Sequence, residues 1–148
     1  MSEELIQQLL SRLKALEQEF ERTKIIERPA TIEGYVTTTD ATLTTVATIP
    51  IPASTSVMME IHVVGRRTGG SAGSAEDGAG YIIQALYKNV AGVATLIGLG
   101  NLDFNAESQI AWNATHAVSG GNVLVRVTGA VNNNISWYCS VTLWQISS

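Results

Sequence analysis

The sequence predicts a mainly β protein: an N-terminal coiled-coil helix followed by an antiparallel, jelly-roll-like β-sandwich, assembled as an oligomer. Three observations predict it. Residues 1–28 hold eleven charged side chains, and the remaining 120 residues of the 148-residue chain hold only eleven more. Apolar residues in the first segment repeat at 3-4 spacing, the signature of a helix that pairs along one seam. From Thr31 the apolar period becomes two, with turn chemistry recurring every ten residues or so and no second helical pattern. The chain divides near Pro29 into a helical segment, 1–28, and a β domain, 29–148.

In the first segment Ser2 is placed to cap the helix, Glu3 and Glu4 occupy the first turn where the helix dipole favours negative charge, and Pro29 ends the pattern. With Ile6, Leu13 and Phe20 at a, the d positions are Leu9, Leu16 and Thr23. The g positions then fall on Leu5, Arg12 and Glu19, and the e positions on Leu10, Glu17 and Lys24. In a parallel, in-register bundle each g faces the e five residues later on the next chain. Arg12 then meets Glu17, Glu19 meets Lys24, and Leu5 meets Leu10. A register fitted to the apolar stripe thus also satisfies a charge rule it was not fitted to. An isolated helix of this length needs tertiary or quaternary support, and the β domain that follows has no gap for it, so self-association is the expected role. Ile at a with Leu at d favours two strands, whereas Phe20, Leu5 and Leu10 widen the apolar face towards three or more. A homotrimer is the expectation.

Eight strands are expected in the second segment. Thr31 to Thr38 and Thr42 to Ile49 come first, the latter ending at Pro50-Ile51-Pro52. Val57, Met59, Ile61 and Val63 then alternate with Met58, Glu60, His62 and Val64. Tyr81 to Val90 turns at Ala91-Gly92 into a hairpin with Val93 to Leu99. Gln109 to Val118 places Ile110, Trp112, Ala114 and His116 on one side. Ser119-Gly120-Gly121 turns the chain into Val123, Val125 and Val127. After Asn132-Asn133-Asn134 comes a long last strand with Ile135, Trp137, Cys139, Val141 and Leu143 facing one way. The outward positions carry little of the Lys that guards exposed sheet edges, a second sign that neighbouring subunits cover them.

Composition narrows the function. Nine Lys and Arg against thirteen Asp and Glu, a net charge of −4, with no basic run, exclude nucleic acid as a partner. Apolar runs are too short to span a membrane, and the acidic opening predicts no secretory signal. A single cysteine, Cys139, allows no internal disulfide and suits a reducing cytoplasm.

No cofactor, metal or catalytic constellation is predicted. The stretch from Thr68 to Gly80 is Gly-rich but lacks the Gly-Lys-Ser/Thr of a phosphate loop and the helix that would follow one. It reads as a mobile loop between strands whose Gly69, Gly70, Ser71, Glu76 and Asp77 could touch a partner. Glu76 and Asp77 lack the oxygen spacing of an EF-hand. His62 and His116 have no second ligand at metal spacing, and Cys139 sits mid-strand on the inward face as a small hydrophobe. Asn113-Ala114-Thr115 matches a glycosylation acceptor by coincidence, in a chain with no predicted leader. Trp112, Trp137, Trp144 and the tyrosines are either core anchors or a platform on which sugars stack; Trp144 is out of phase with Trp137, so one of the two faces outward.

Three stretches resemble a β domain of tailed-bacteriophage virion proteins: Val57 to Thr68 with Arg66-Arg67-Thr68-Gly69-Gly70, the hairpin Tyr81 to Gly98, and the closing pattern of Trp112, Val123 to Gly129 and Ile135-Ser136-Trp137. The resemblance covers roughly Thr31 to Ile146. It implies a trimeric structural protein of the virion, assembled in the host cytoplasm, and no catalytic residues. On that basis the expected function is a capsid decoration protein or head fibre, with itself and the major capsid protein or another virion protein as partners. The alternative is a tail-associated module that recognises a host cell-surface glycan. Either end of the chain could be the one that grips the particle.

Overall fold

The computed structural model describes residues 2–25 and 29–148, with side chains described up to residue 20 and from residue 29 onward. It is mainly β: among the described residues one helix, α1 (Glu3–Ile25), precedes nine strands. These are β1 (Ala30–Thr38), β2 (Thr44–Pro50), β3 (Thr55–Gly69), β4 (Gly78–Val90), β5 (Val93–Leu96), β6 (Asn101–Glu107), β7 (Asn113–Ser119), β8 (Asn122–Thr128) and β9 (Asn134–Ser147). All pair antiparallel, in two sheets. The larger has the order β1-β9-β3-β4, with β5 and β6 both pairing with β4, and the smaller is β2-β8-β7.

The alternation read from the sequence decides which face each strand buries. Val57, Met59, Ile61 and Val63 of β3 point inward beside Val141, Cys139 and Trp137 of β9. From the smaller sheet Ile49, Val123, Val125 and Val127 meet them in one continuous core. The layout is therefore sandwich-like, six strands against three. Its centre is an aromatic contact: the indoles of Trp112 and Trp137 meet edge to face with centroids 5.7 Å apart. Trp137 Nε1 donates a hydrogen bond to Thr38 Oγ1 at 2.9 Å, which ties β9 to the end of β1. Gly65 lies in register with Trp137, and a Cβ there would stand 2.5 Å from an indole carbon. The strand has no side chain at that point because the ring fills its place.

Several sequence expectations are corrected. A ninth strand, β6, pairs with β4 along Asn101–Glu107. Six of its seven residues are exposed, so it carries no apolar alternation from which a strand could be read. β5 ends at Leu96 rather than Leu99, because the chain turns through Gly98 at positive φ. β7 begins at Asn113 rather than Gln109. The backbone closes a turn there, with Trp112 N–H donating to Gln109 C=O at 3.1 Å, and Ile110 swings out to 94 % exposure instead of joining Trp112. The hairpin turn at Ala91-Gly92 forms as read, both residues at positive φ.

Candidate functional site

Three surfaces carry the residues singled out by the sequence. On α1, Ser2 caps the helix as expected: Ser2 Oγ accepts from Leu5 N–H at 3.2 Å, and Ser2 C=O accepts from Ile6 N–H. The stripe of Ile6, Leu9, Leu13, Leu16 and Phe20 is solvent-exposed along its length, Phe20 to 69 %. Arg12, Glu17 and Glu19 flank it on an exposed helix, and the side chain of Lys24 lies outside the described residues. Among the described residues the leucine stripe of this otherwise polar helix is left uncovered.

The Gly-rich segment is hydrogen-bonded at several points to itself and to its neighbours. Arg67 Nε and Nη2 donate to the carbonyls of Ala72 and Gly70 at 2.8 and 2.7 Å. Ala72 N–H donates to Asn132 C=O, joining the loop to the turn before β9. The Asp77 carboxylate accepts from Ser74 N–H at 2.8 Å and Gln109 Nε2 at 2.6 Å. Those hydrogen bonds, the Ser74 backbone first, and then the nearby Arg67 charge hold its pKa below the ordinary carboxylate value. Gly70 adopts φ +104°, where a Cβ would meet Asn132 O at 2.2 Å. The signal that sequence reading missed is Gln109 and Asn132, which reach the loop only through the fold. Gly69 and Asp77 are partly covered, while Gly70, Ser71 and Glu76 remain exposed, so the outer rim of the loop is open to a partner.

The third surface is the outer face of the larger sheet. Tyr35, Tyr138, Val64 and Gly80 lie side by side in register across β1, β9, β3 and β4, and Trp144, Met58 and Leu86 form a second apolar row. Between Tyr138 and Phe104 runs an open groove of about 290 Å³, with Gly80 and Ile82 in its floor and His62 at its side. His62 Nε2 pairs with Glu60 Oε1 at 2.6 Å. Hydrogen bonding to Glu33 raises the Tyr138 phenol pKa. The aromatic residues on this face are tyrosines, Phe104 and Trp144. Trp112 and Trp137 lie fully in the core, so the sugar platform considered from sequence cannot include them.

The remaining candidates sit apart. His116 is half-buried between the sheets, its Nδ1 hydrogen-bonded to the Tyr87 hydroxyl, and burial lowers its pKa. Tyr81 donates to Glu107 Oε2 at 2.6 Å; burial, then that bond, raises its pKa. Cys139 is buried mid-sheet, and burial pushes its thiol pKa up to about 12, which suppresses the thiolate needed for nucleophilic attack. Among the described residues no three His, Cys, Asp or Glu side chains gather within reach of one ion, and no helix is long and apolar enough to cross a membrane.

Fold and surfaces together define a class: a small antiparallel β module whose polar binding groups are modest and whose exposed apolar surface is large. No protein-family model and no curated protein matches the sequence. Among solved structures the chain is similar to the tailspike protein of Acinetobacter baumannii phage AM24, with a TM-score of 0.53 at 10% identity, covering 81% of this chain and 27% of that one. It also aligns with the tailspike of Acinetobacter phage vB_ApiP_P1 at a TM-score of 0.40 and 14% identity, over 81% of this chain and 22% of the other. The chain thus spans about a quarter of the length of the tailspikes it matches. The likeness to the AM24 protein is one of fold.

Proposed function

We propose that this chain is a structural module of a bacteriophage virion, of tail-spike or tail-fibre type, that assembles as a homotrimer through α1 and presents its β domain as a recognition surface. The observation that carries the reading is the uncovered leucine stripe of α1, flanked by e and g residues of matched charge. The fold likeness to a phage tailspike supports a tail position over decoration of the head. The role is binding, not chemistry. Cys139 and His116 are sequestered in the core or between sheets, and the exposed aromatic groove beside His62 and Glu60 suits the apolar face of a host cell-surface sugar.

Mass in solution tests this reading. A bundled chain sediments at about 47 kDa, three times its 15.8 kDa. Leu9→Glu with Leu16→Glu buries charge in the seam and releases single chains that retain the β circular-dichroism signal. A parent protein that sediments as one chain at micromolar concentration overturns the proposal.

A further inference from the structure

The groove beside Tyr138 is apolar in its lining but has a charge direction along it. On the outward side of β3 the residues run Glu60, His62, Val64 and Arg66. At about 3.3 Å per residue Glu60 and Arg66 stand roughly 20 Å apart, and the groove lies between them. The carboxylates around it already have partners. Glu60 Oε1 pairs with His62 Nε2 at 2.6 Å, Glu33 accepts from the Tyr138 phenol, and Asp103 accepts from Asn101 Nδ2.

The other end differs. Arg66 is exposed, and among the described residues its guanidinium has no hydrogen-bond or ion-pair partner. Its cross-strand neighbours are Ser136 on β9 and Gly78 on β4, so no large side chain flanks it. Arg67, the next residue, is by contrast engaged by the carbonyls of Ala72 and Gly70. An arginine fork without a counter-ion matches a carboxylate in bidentate geometry. Between the two ends the rings of Tyr138 and Phe104 offer apolar faces, and Gly80 keeps the floor low, since a Cβ there would lie 3.6 Å from the Phe104 ring.

We infer that the groove takes an acidic pyranose, a sugar ring bearing a carboxylate. The carboxylate meets Arg66, the apolar side of the ring meets Tyr138 and Phe104, and hydroxyls meet His62 and Glu60. This rests on the reading of the groove as a sugar-binding surface, and deepens it by naming the charge class and the direction in which the ring lies.

Binding of four methyl glycosides to the full chain tests the assignment: the glucuronide and galacturonide as sodium salts, and the glucoside and galactoside as their neutral counterparts. Each acid differs from its counterpart only at the exocyclic carbon. Titration by saturation-transfer NMR at low salt is expected to show one or both acids binding about tenfold tighter than the neutral sugar, the scale of one charge-assisted hydrogen bond. Arg66→Gln, a change at an exposed side chain, should bring the acid down to its counterpart's affinity, and about 0.5 M salt should do the same in the unsubstituted protein. Arg66→Lys keeps the charge without the fork and should fall between the two. Tyr138→Ala should weaken acid and neutral sugar alike. Acids that bind no better than their counterparts, or a preference that survives Arg66→Gln, overturn the acid assignment and leave the sugar-binding reading of the groove standing. Binding of none of the four overturns that reading as well.

Discussion

Replacing Gly65 with Ala puts one methyl group where the Trp137 ring already lies. The new Cβ would stand 2.5 and 2.6 Å from two carbons of the indole, against a comfortable carbon separation of about 3.5–4 Å, so the ring must retreat by about 1 Å. It has nowhere to go. Trp137 is fully buried, its Nε1 is held by Thr38 at 2.9 Å, and Trp112 packs against it with centroids 5.7 Å apart. Overpacking costs about 1–3 kcal/mol, and loss of the Thr38 bond about 1 kcal/mol more. The Ala-bearing unfolded chain has less freedom to lose, which returns about 0.4–1 kcal/mol. The net expectation is a loss of about 1–3 kcal/mol, read as a lower urea midpoint at unchanged slope and constant protein concentration, since association feeds into apparent stability. Trp137→Phe removes the part of the ring that clashes. Gly65→Ala should cost less on that background, with a coupling of about 0.5–2 kcal/mol. A change below about 0.5 kcal/mol for Gly65→Ala in the parent, or strict additivity with Trp137→Phe, refutes the claim that the indole occupies the place of the missing side chain.

Two further perturbations probe the inter-sheet space and the Gly-rich loop. Burial lowers the His116 pKa below its ordinary 6.5, so the unfolded chain takes up the proton first as pH falls. This group's effect is absent well above pH 6.5, erodes stability as pH drops through that value, and levels off below the folded pKa. His116→Gln should remove this slope from urea midpoints taken between about pH 7.5 and 5, and an unchanged slope contradicts the assignment. Gly70→Ala meets both a positive φ and the Asn132 carbonyl at 2.2 Å, so the loop must lift from the turn before β9. Cleavage by a glutamyl endopeptidase at exposed Glu76 should accelerate about tenfold, and an unaltered rate means the loop is not anchored through this contact.

Much of the architecture was legible because a strand that buries one face must alternate. Val57 to Val63, Val123 to Val127 and Ile135 to Leu143 announce their inward sides, and the Ala91-Gly92 turn announces its hairpin. β6 was illegible for the same reason. An edge strand exposed almost throughout writes no period into its residues and exists because β4 offers it free hydrogen-bonding groups. Ile110 was misplaced because a turn closing between Gln109 and Trp112 overrode the alternation.

Local sequence sufficed for the capped helix and its leucine stripe, since these depend on residues three or four apart. Only the tertiary structure could decide the rest. It placed Gln109 and Asn132 against the Gly-rich loop, and it buried two of three tryptophans. It also gathered Tyr35, Tyr138 and Val64, drawn from three strands far apart in the chain, into one apolar face. Contacts of that kind depend on which strand lies beside which, and strand order is a property of the whole sheet that no short stretch of residues encodes.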